Sequence, residues 1–419
     1  MSTGRNALAA LLHDAAELEH ALCVQYLFAA FSLKARPDEG GVSAVQIEMI
    51  RDWRGALLAI ARGEMLHLGL VCNLLSAIGA APHFGRANFP YDRSLYRLGI
   101  PGVLAPFGDE ALGRFIAYEA PFARDPVARN GNGSRSVGEL YDEIRSLFAS
   151  SDEARLFAGD PAAQTDYLDI VDPTNAFTDE VRTGYGVEPF RIVDRRTALA
   201  AIALIVEQGE GAPSVAEESH HAVLAKIRAE LRGEQERCAH AGVAFEPARP
   251  VVENPLSAPL DSVPGGTVIA HPSTAEVARL FNDSYQTMLL MLIRFYAHLD
   301  ETPAERFGLQ QIIFFPFMTM VVRPLGEILT ELPAFGDGRR GNAGPCFELG
   351  RGIELIPHKA GAHAIFAERL ADLARSAGSL RYLEAGADPR LRRRLAFVAE
   401  NMARLADNFT AFTANGAEA

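Results

Sequence analysis

The sequence predicts an all-α protein: a four-helix bundle with a long insertion between its second and third helices, followed by a second, mainly helical half. Three observations carry that expectation. Helix-period apolar patterns dominate the chain, whereas alternating period-2 runs bounded by turn residues are scarce. Two long stripes with 4-3 spacing fill the first eighty residues, Leu8, Leu12, Ala15, Glu19, Leu22, Tyr26, Ala29, Leu33 and Trp53, Leu57, Ile60, Glu64, His67, Val71, Leu74, Ile78. Near its middle each stripe carries residues of metal-ligand type, and a carboxylate on a bundle seam is costly unless something pairs with it.

Taken in order, the first helix is expected from Asn6 to Lys34, ending before the Pro37 to Gly41 turn region. The second runs from Ser43 to Ile78, with Gly79 placed where a helix C-terminus commonly needs a left-handed residue. Residues 80–194 break into short pieces separated by Pro and Gly, a lid or side wall with helices near Asp109 to Glu119 and Val137 to Phe148. A third helix, Arg195 to Glu210, and a fourth, Val215 to about Arg232, flank the connection Gly211-Ala212-Pro213-Ser214 and should form an antiparallel hairpin.

Proline-rich residues 236–272 then read as a linker or ordered wrap between a domain at 1–235 and a helical domain at 273–419. Beyond it Ser273-Thr274-Ala275-Glu276 reads as a capping box opening a helix to His298. Helical segments follow near 303–330, 357–376 and 390–413, with Pro316 and Pro324 expected to kink or split the first of these.

Composition narrows the function. With 419 residues, 48% hydrophobic and 22% charged, the chain is globular and long enough for large cores. A formal net charge of -13 and a pI near 5.4 argue against partners that need clustered positive charge, so neither nucleic acid nor an anionic membrane is expected. Cys23, Cys72, Cys238 and Cys346 form no Cys-x-x-Cys pair, which fits reduced thiols in a cytosolic protein. No secretory pattern opens the chain, and the longest apolar stretches, such as Ala198 to Val206, are about half a membrane span. A cytoplasmic location is expected; a homo-oligomer is compatible with everything in the sequence.

The chemistry resides in the stripes. Glu64-Met65-Leu66-His67 is a Glu-x-x-His unit, and a three-residue step puts both side chains on one helix face, here the apolar one. The fourth helix repeats it: Glu217 and His220 head the stripe Leu224, Ile227, Leu231, whereas Glu218 and His221 fall on a poorer stripe nearer the surface. Glu19 sits in register on the first stripe, and Glu210 continues Leu199, Ala203, Val206 on the third helix, with Glu207 one turn earlier as the alternative. Glu19 lies about 15 residues before the end of helix one and Glu64 about 20 after the start of helix two, so an antiparallel pair sets them at similar heights. One Glu from each of two helices plus Glu-x-x-His from the other two is the ligand set of a carboxylate-bridged dinuclear site. Oxygen-rich ligands with two imidazoles suit two iron ions, with manganese the alternative, and the absence of thiolates argues against structural zinc.

Ordinary explanations exist for single residues. Glu217 alone is a capping partner for Ser214, and Glu19 alone a neighbour of some cation; their convergence on four apolar stripes is what points to metal. Tyr26 is the candidate catalytic residue, placed to hydrogen-bond a ligand or gate the site, with a core tyrosine the simpler reading. Glu119 either faces the metal pocket or ends a surface helix. His13, His20 and His83 read as structural. Gly336-x-Gly338-x-x-Gly341 follows no strand and carries Arg339 and Arg340, so it is a loop rather than a dinucleotide fingerprint.

Leu18-Glu19-His20-Ala21-Leu22, Gln25-Tyr26-Leu27 and Ala30-Phe31-Ser32-Leu33-Lys34 resemble the ferritin-like domain of the iminophenyl-pyruvate dimer synthase family. So do Glu64-Met65-Leu66-His67-Leu68, Val71-Cys72-Asn73-Leu74-Leu75, Pro82-His83-Phe84, Glu207-Gln208-Gly209-Glu210-Gly211 and Ser219-His220. The similarity covers most of residues 6–230, and Gly344-Pro345-x-Phe347-Glu348 extends it into the second half. The resemblance implies a ferritin-like metal site and oxidative coupling of two imines derived from aromatic amino acids, in bis-indole pigment biosynthesis.

The expected function is therefore a dinuclear non-haem iron oxidoreductase using O2 or peroxide on a small organic substrate, such as an amino-acid-derived imine, in secondary metabolism. Two alternatives compete with it: a ferroxidase or peroxide-scavenging iron-handling protein, and a metal-free helical scaffold subunit.

Overall fold

The computed structural model describes residues 4–121, 135–166, 189–210, 219–260, 263–350, 353–380 and 388–416. Helix α1 (Arg5–Ser32) and helix α2 (Ala44–Ala77) begin and end within two residues of the positions their stripes predict. Ser43 caps α2 reciprocally with Gln46, the two side chains closing each other's free backbone N–H groups. Past its end, Gly79 takes the left-handed conformation (φ 80°) expected of it. The two helices are antiparallel: Arg54 reaches the Lys34 carbonyl at 3.0 Å, while His67 approaches Glu19.

Every member of both stripes is buried. In α1 burial goes beyond the stripe, since from Leu18 to Phe31 only Leu27 is partly exposed, the mark of a helix enclosed on all sides. Helices of the insertion and of the second half supply the enclosure. Helix α3 (Asp109–Tyr118) packs on helix α6 (His220–Ala241), tied by Asp109 accepting from Arg228 at 2.9 Å and Arg232 at 2.5 Å. Helix α4 (Val137–Ser150), opened by a Ser136/Glu139 capping box, packs on both α1 and helix α5 (Arg195–Glu210). The insertion is thus a side wall. The α5–α6 connection and the first turn expected of α6 lie outside the described residues.

By length and mean hydropathy, Ala44–Ala77 and Pro303–Leu329 are long and apolar enough to cross a membrane, more than their uninterrupted apolar runs suggest. In α2 that apolarity packs into the bundle, whose walls surround it. All four cysteines are free and buried.

Helix α7 (Pro272–Ala297) starts two residues earlier than the expected capping box implies. His271, not Ser273, caps it, its ring nitrogen accepting from the Thr274 N–H at 3.4 Å with Pro272 in the first helical position. Helix α8 (Pro303–Ile312) passes into a π-helical stretch, Ile313–Val322, and then into helix α9 (Arg323–Leu329). Pro316 falls inside the π turn, where wider winding tolerates a residue that lacks an N–H and crowds the turn before it. Helices α10 (Lys359–Leu380) and α11 (Pro389–Gly416) complete the second half.

Residues 236–241, expected to open the linker, belong to helix α6, and the described residues after them wrap against both halves. Lys34 N–H donates to the Pro247 carbonyl at 2.9 Å, Arg249 N–H to Ser32 at 2.8 Å, and Asn342 N–H to Pro250 at 2.8 Å. Helices on both sides of it feed one hydrophobic cluster that extends from Leu8 to Phe409.

Candidate metal centre

Halfway along the bundle, carboxylates and imidazoles converge from separate elements. Ligand-type atoms of Glu19, Glu64 and His67 lie within 4.8 Å of one another, and so do those of Glu64, Glu119 and His220. Glu64 belongs to both groups. On one side His67 Nδ1 stands 3.2 Å from Glu64 Oε2 and 3.5 Å from Glu19 Oε2. On the other His220 Nδ1 stands 2.8 Å from Glu64 Oε1 and 3.8 Å from Glu119 Oε1. The two imidazole centroids are 5.7 Å apart.

Local sequence explains each placement. The i, i+3 step of α2 brings Glu64 and His67 onto the buried stripe. His220 projects from the first turn of α6, which Ser219 caps by accepting the Ala222 N–H at 3.3 Å. Gly63 lets that ring approach, since a Cβ there would lie 2.9 Å from His220 Nε2. Glu119 is the residue that terminates α3, and Gly209 makes room for it: a Cβ at 209 would meet Glu119 Oε2 at 2.9 Å.

The face α5 turns inward differs from the expected one. Ala198, Ile202, Ile205 and Gly209 are buried, whereas Ala203 is exposed and Leu199 and Val206 are half-buried. A shift of one residue turns a helix by about 100°. It leaves Glu207 exposed and outside the cluster, and directs Gln208 to it instead, with His67 Nε2 donating to Gln208 Oε1 at 3.0 Å. That bond orients the His67 ring with Nδ1 toward the carboxylates. The side chain of Glu210, and all of Glu217 and Glu218, lie outside the described residues. His221 is half-buried and outside the two groups.

Two tyrosines complete the shell. The Tyr26 hydroxyl donates to Glu119 Oε1 and the Tyr141 hydroxyl to Glu19 Oε1. Tyr26, the candidate catalytic residue, is fully buried and packs edge-on to Phe115 at 4.8 Å, so its hydroxyl is committed to orienting a carboxylate. Tyr141 and Gln208 escape the sequence reading. A signal existed for Tyr141 in the 4-3-4 row Val137, Tyr141, Ile144, Phe148, and for Glu119 in the row Leu112, Phe115, Glu119.

Charge is balanced by proton sharing. Burial, and next the nearby Glu64 carboxylate, push Glu19 up to about 8. Burial opposes ionisation of Glu64, but His67 and His220 outweigh it and hold that carboxyl well below its usual range. Burial likewise works against charging either imidazole, yet Glu64 and its neighbours raise His67 well above an ordinary histidine and His220 to about 9. Burial keeps both tyrosines protonated.

The donor set fits a metal. Glu64 Oε1 and His220 Nδ1 are both buried without a hydrogen-bond partner, although they stand 2.8 Å apart. Two donors that face each other closely, with no hydrogen bond aligned between them, are arranged as ligands of a common ion would be. Glu19, Glu64, His67, Glu119 and His220 would hold it, an oxygen-rich set with imidazoles.

The Ferritin-like family model matches residues 12–229. The chain is 30% identical to dichlorochromopyrrolate synthase of Lentzea aerocolonigenes over 431 aligned residues, covering 91% of this chain and 38% of that protein. It is 31% identical to 2-imino-3-(indol-3-yl)propanoate dimerase of Chromobacterium violaceum over 359, covering 81% of this chain and 33% of that one. The chain therefore spans little more than a third of the length of these relatives. Among solved structures, a ferritin-like protein from Caulobacter vibrioides aligns at a TM-score of 0.43 and 18% identity, over 72% of this chain and 90% of that one. With its model matched across the bundle that carries the cluster, the chain belongs to the Ferritin-like family.

Proposed function

We propose that the protein is a dinuclear non-haem iron oxidoreductase that uses O2 or peroxide on a small organic substrate of secondary metabolism. The observation that carries the reading is the double membership of Glu64, whose carboxylate faces Glu19 and His67 on one side and Glu119 and His220 on the other. A carboxylate shared by two groups of ligand-type residues would serve both ions of a metal pair. The two similar enzymes, a chromopyrrolate-type synthase and an imine dimerase, support an amino-acid-derived imine as substrate. Joining two such molecules through a new bond removes two electrons and two protons, which O2 accepts to give hydrogen peroxide, or peroxide accepts to give water.

Bound iron would supply the redox chemistry of that oxidation. The chain's own residues do the rest. Tyr26 and Tyr141 hold one oxygen each of Glu119 and Glu19 by donating to them. Gln208 fixes the ring of His67. Glu19, His67 and His220 carry protons that leave when the site is loaded, so loading at neutral pH is coupled to proton release.

The test is metal content per chain after iron-replete expression, combined with oxygen uptake on adding an aromatic imine. Two irons and substrate-dependent uptake are expected. Many irons per chain would favour iron handling, and none would favour a scaffold. Glu64→Ala with His67→Ala should abolish binding; full occupancy in that double variant would refute the ligand set.

A further inference from the structure

Outside the carboxylate cluster, a cleft of about 430 Å3 opens between the turn that follows α2, Ile293 of α7 and the chain before α10. Phe84, Ile293, Leu349 and Ile353 give it apolar walls, and Arg86 lines it. Arg86 is 8% exposed. One terminal nitrogen donates to the Ala87 carbonyl at 2.9 Å and the other to the Phe347 carbonyl, with Tyr285 beside it, while Nε has no partner.

Among the described residues no carboxylate stands within ion-pair distance of Arg86. Two other buried arginines have carboxylate partners: Arg249 pairs with Glu39 at 2.6 Å, and Arg294 with Glu301. Neutral carbonyls satisfy N–H groups but do not offset a charge removed from water. The nearby acid, Glu17, is already engaged, at 3.1 Å from His83 Nε2 and accepting from the Tyr96 hydroxyl at 2.7 Å. Glu354 lines the cleft but is exposed, and the ring of His13 lies against His83, so the lining offers no buried anion for Arg86.

The cleft is also built in advance. His20, buried on α1, holds the Phe84 carbonyl through Nδ1 at 2.9 Å and the Tyr285 hydroxyl through Nε2, so the turn carrying Arg86 is fixed from inside the bundle. A preformed cleft of mixed polar and apolar lining, holding one buried cation that no carboxylate neutralises and that stacks over the Phe89 ring at 4.8 Å, suits a small anion with an apolar body.

We propose that this cleft binds a small organic carboxylate, its carboxylate paired with Arg86 and its apolar body against Phe84, Ile293 and Leu349. The site uses none of the metal ligands and stands whether or not the oxidoreductase reading holds.

Calorimetric titration of the full chain with indole-3-propanoate tests it. Saturable one-to-one binding is expected, with indole-3-propanamide about tenfold weaker or more, because the amide cannot form the charge-assisted pair. Acetate, which lacks the body, should bind more weakly still. Equal affinity for acid and amide would overturn the pairing, equal affinity for acetate the apolar contact, and no binding of indole-3-propanoate the whole site. Arg86→Gln should lose the preference for acid over amide. Since Arg86 also ties two backbone segments together, Ile353→Trp provides a second variant that fills the cleft from a half-buried wall. It should block the acid while leaving circular dichroism and metal content unchanged, and wild-type binding by this folded variant would also refute the assignment.

Discussion

The Tyr141 hydroxyl donates to Glu19 across 122 positions of sequence, and the Tyr26 hydroxyl donates to Glu119 across 93. The two bonds cross. Helix α1 gives the carboxylate in one and the phenol in the other, while the insertion gives the phenol from α4 and the carboxylate at the end of α3. Bundle and insertion therefore each orient a carboxylate of the cluster supplied by the other. The insertion is part of the site, which explains why a wall of this size follows α2 rather than a short loop.

Phenylalanine at either tyrosine should weaken the site without unfolding the chain. Losing the outer hydrogen bond of a metal ligand typically lowers metal affinity about 10- to 100-fold. Tyr141→Phe should thus weaken iron or manganese binding by about tenfold or more, and Tyr26→Phe by a similar factor, each read by competition with a chelator. Unchanged affinity in both would mean that the crossed bonds are packing details.

Gly63 and Gly209 make opposite predictions for fold and site. Inside a helix, Gly→Ala ordinarily stabilises by about 1 kcal/mol. Here each new methyl would meet the far end of a flexible side chain, His220 Nε2 or Glu119 Oε2, at 2.9 Å. The side chain can swing aside and the helix survives, but the ligand is displaced. Gly63→Ala and Gly209→Ala should keep or raise the thermal midpoint of the metal-free protein while reducing metal per chain, as thermal melts and metal analysis on the same sample would show.

How much of this was legible in sequence follows from helix geometry. Glu19, Glu64 and His67 could be placed because long, strict stripes fix rotation over many turns, and burial of every stripe member follows. Helix α5 resisted. Its residues Leu199 to Val206 are apolar nearly throughout, so period alone gives no phase, and a one-residue error exchanges exposed Glu207 for inward Gln208. Tyr141 and Glu119 occupy short helices of the insertion, whose own stripes are readable but whose docking onto α1, α5 and α6 is a long-range fact. Likewise, the cap of α7 went to His271 because Pro272 fits the first helical turn, which no count of Ser and Glu spacings reveals.

Metal should protect the fold increasingly as pH rises. Without metal, His220 is raised from 6.5 to about 9, so the folded state holds a proton the unfolded chain releases. That stabilisation is full below pH 6.5 and is lost as pH passes 9. Glu19, raised from 4.5 to about 8, behaves alike, complete below 4.5 and lost through 8. Metal replaces these protons as the counter-charge, so its affinity rises with pH over the same range. The metal-induced increase in thermal midpoint should therefore be larger at pH 8.5 than at pH 6.5. A constant or shrinking increase would mean that these groups are not the ligands.

The two halves should unfold together, because a buried network ties them where the bundle ends. Arg249, in the wrap after α6, is 7% exposed and pairs with Glu39, from the loop after α1, at 2.6 Å. The same guanidinium donates to the carbonyls of Phe31 at 3.0 Å and Leu33 at 2.9 Å and to Thr330 Oγ1 at 3.2 Å. Glu331, just past α9, pairs with Arg390 and, at 2.5 Å, with Arg394 of α11. Close packing continues the tie, since a Cβ at Gly326 would meet Phe31 at 2.9 Å. Breaking a buried ion pair by removing one partner typically costs about 3 to 5 kcal/mol. Arg249→Met should therefore lower the thermal midpoint of the whole chain, in a single calorimetric transition before and after substitution. Two resolved transitions in the wild type would instead identify residues 1–235 and 273–419 as independent folding units, with Arg249 only fastening one to the other.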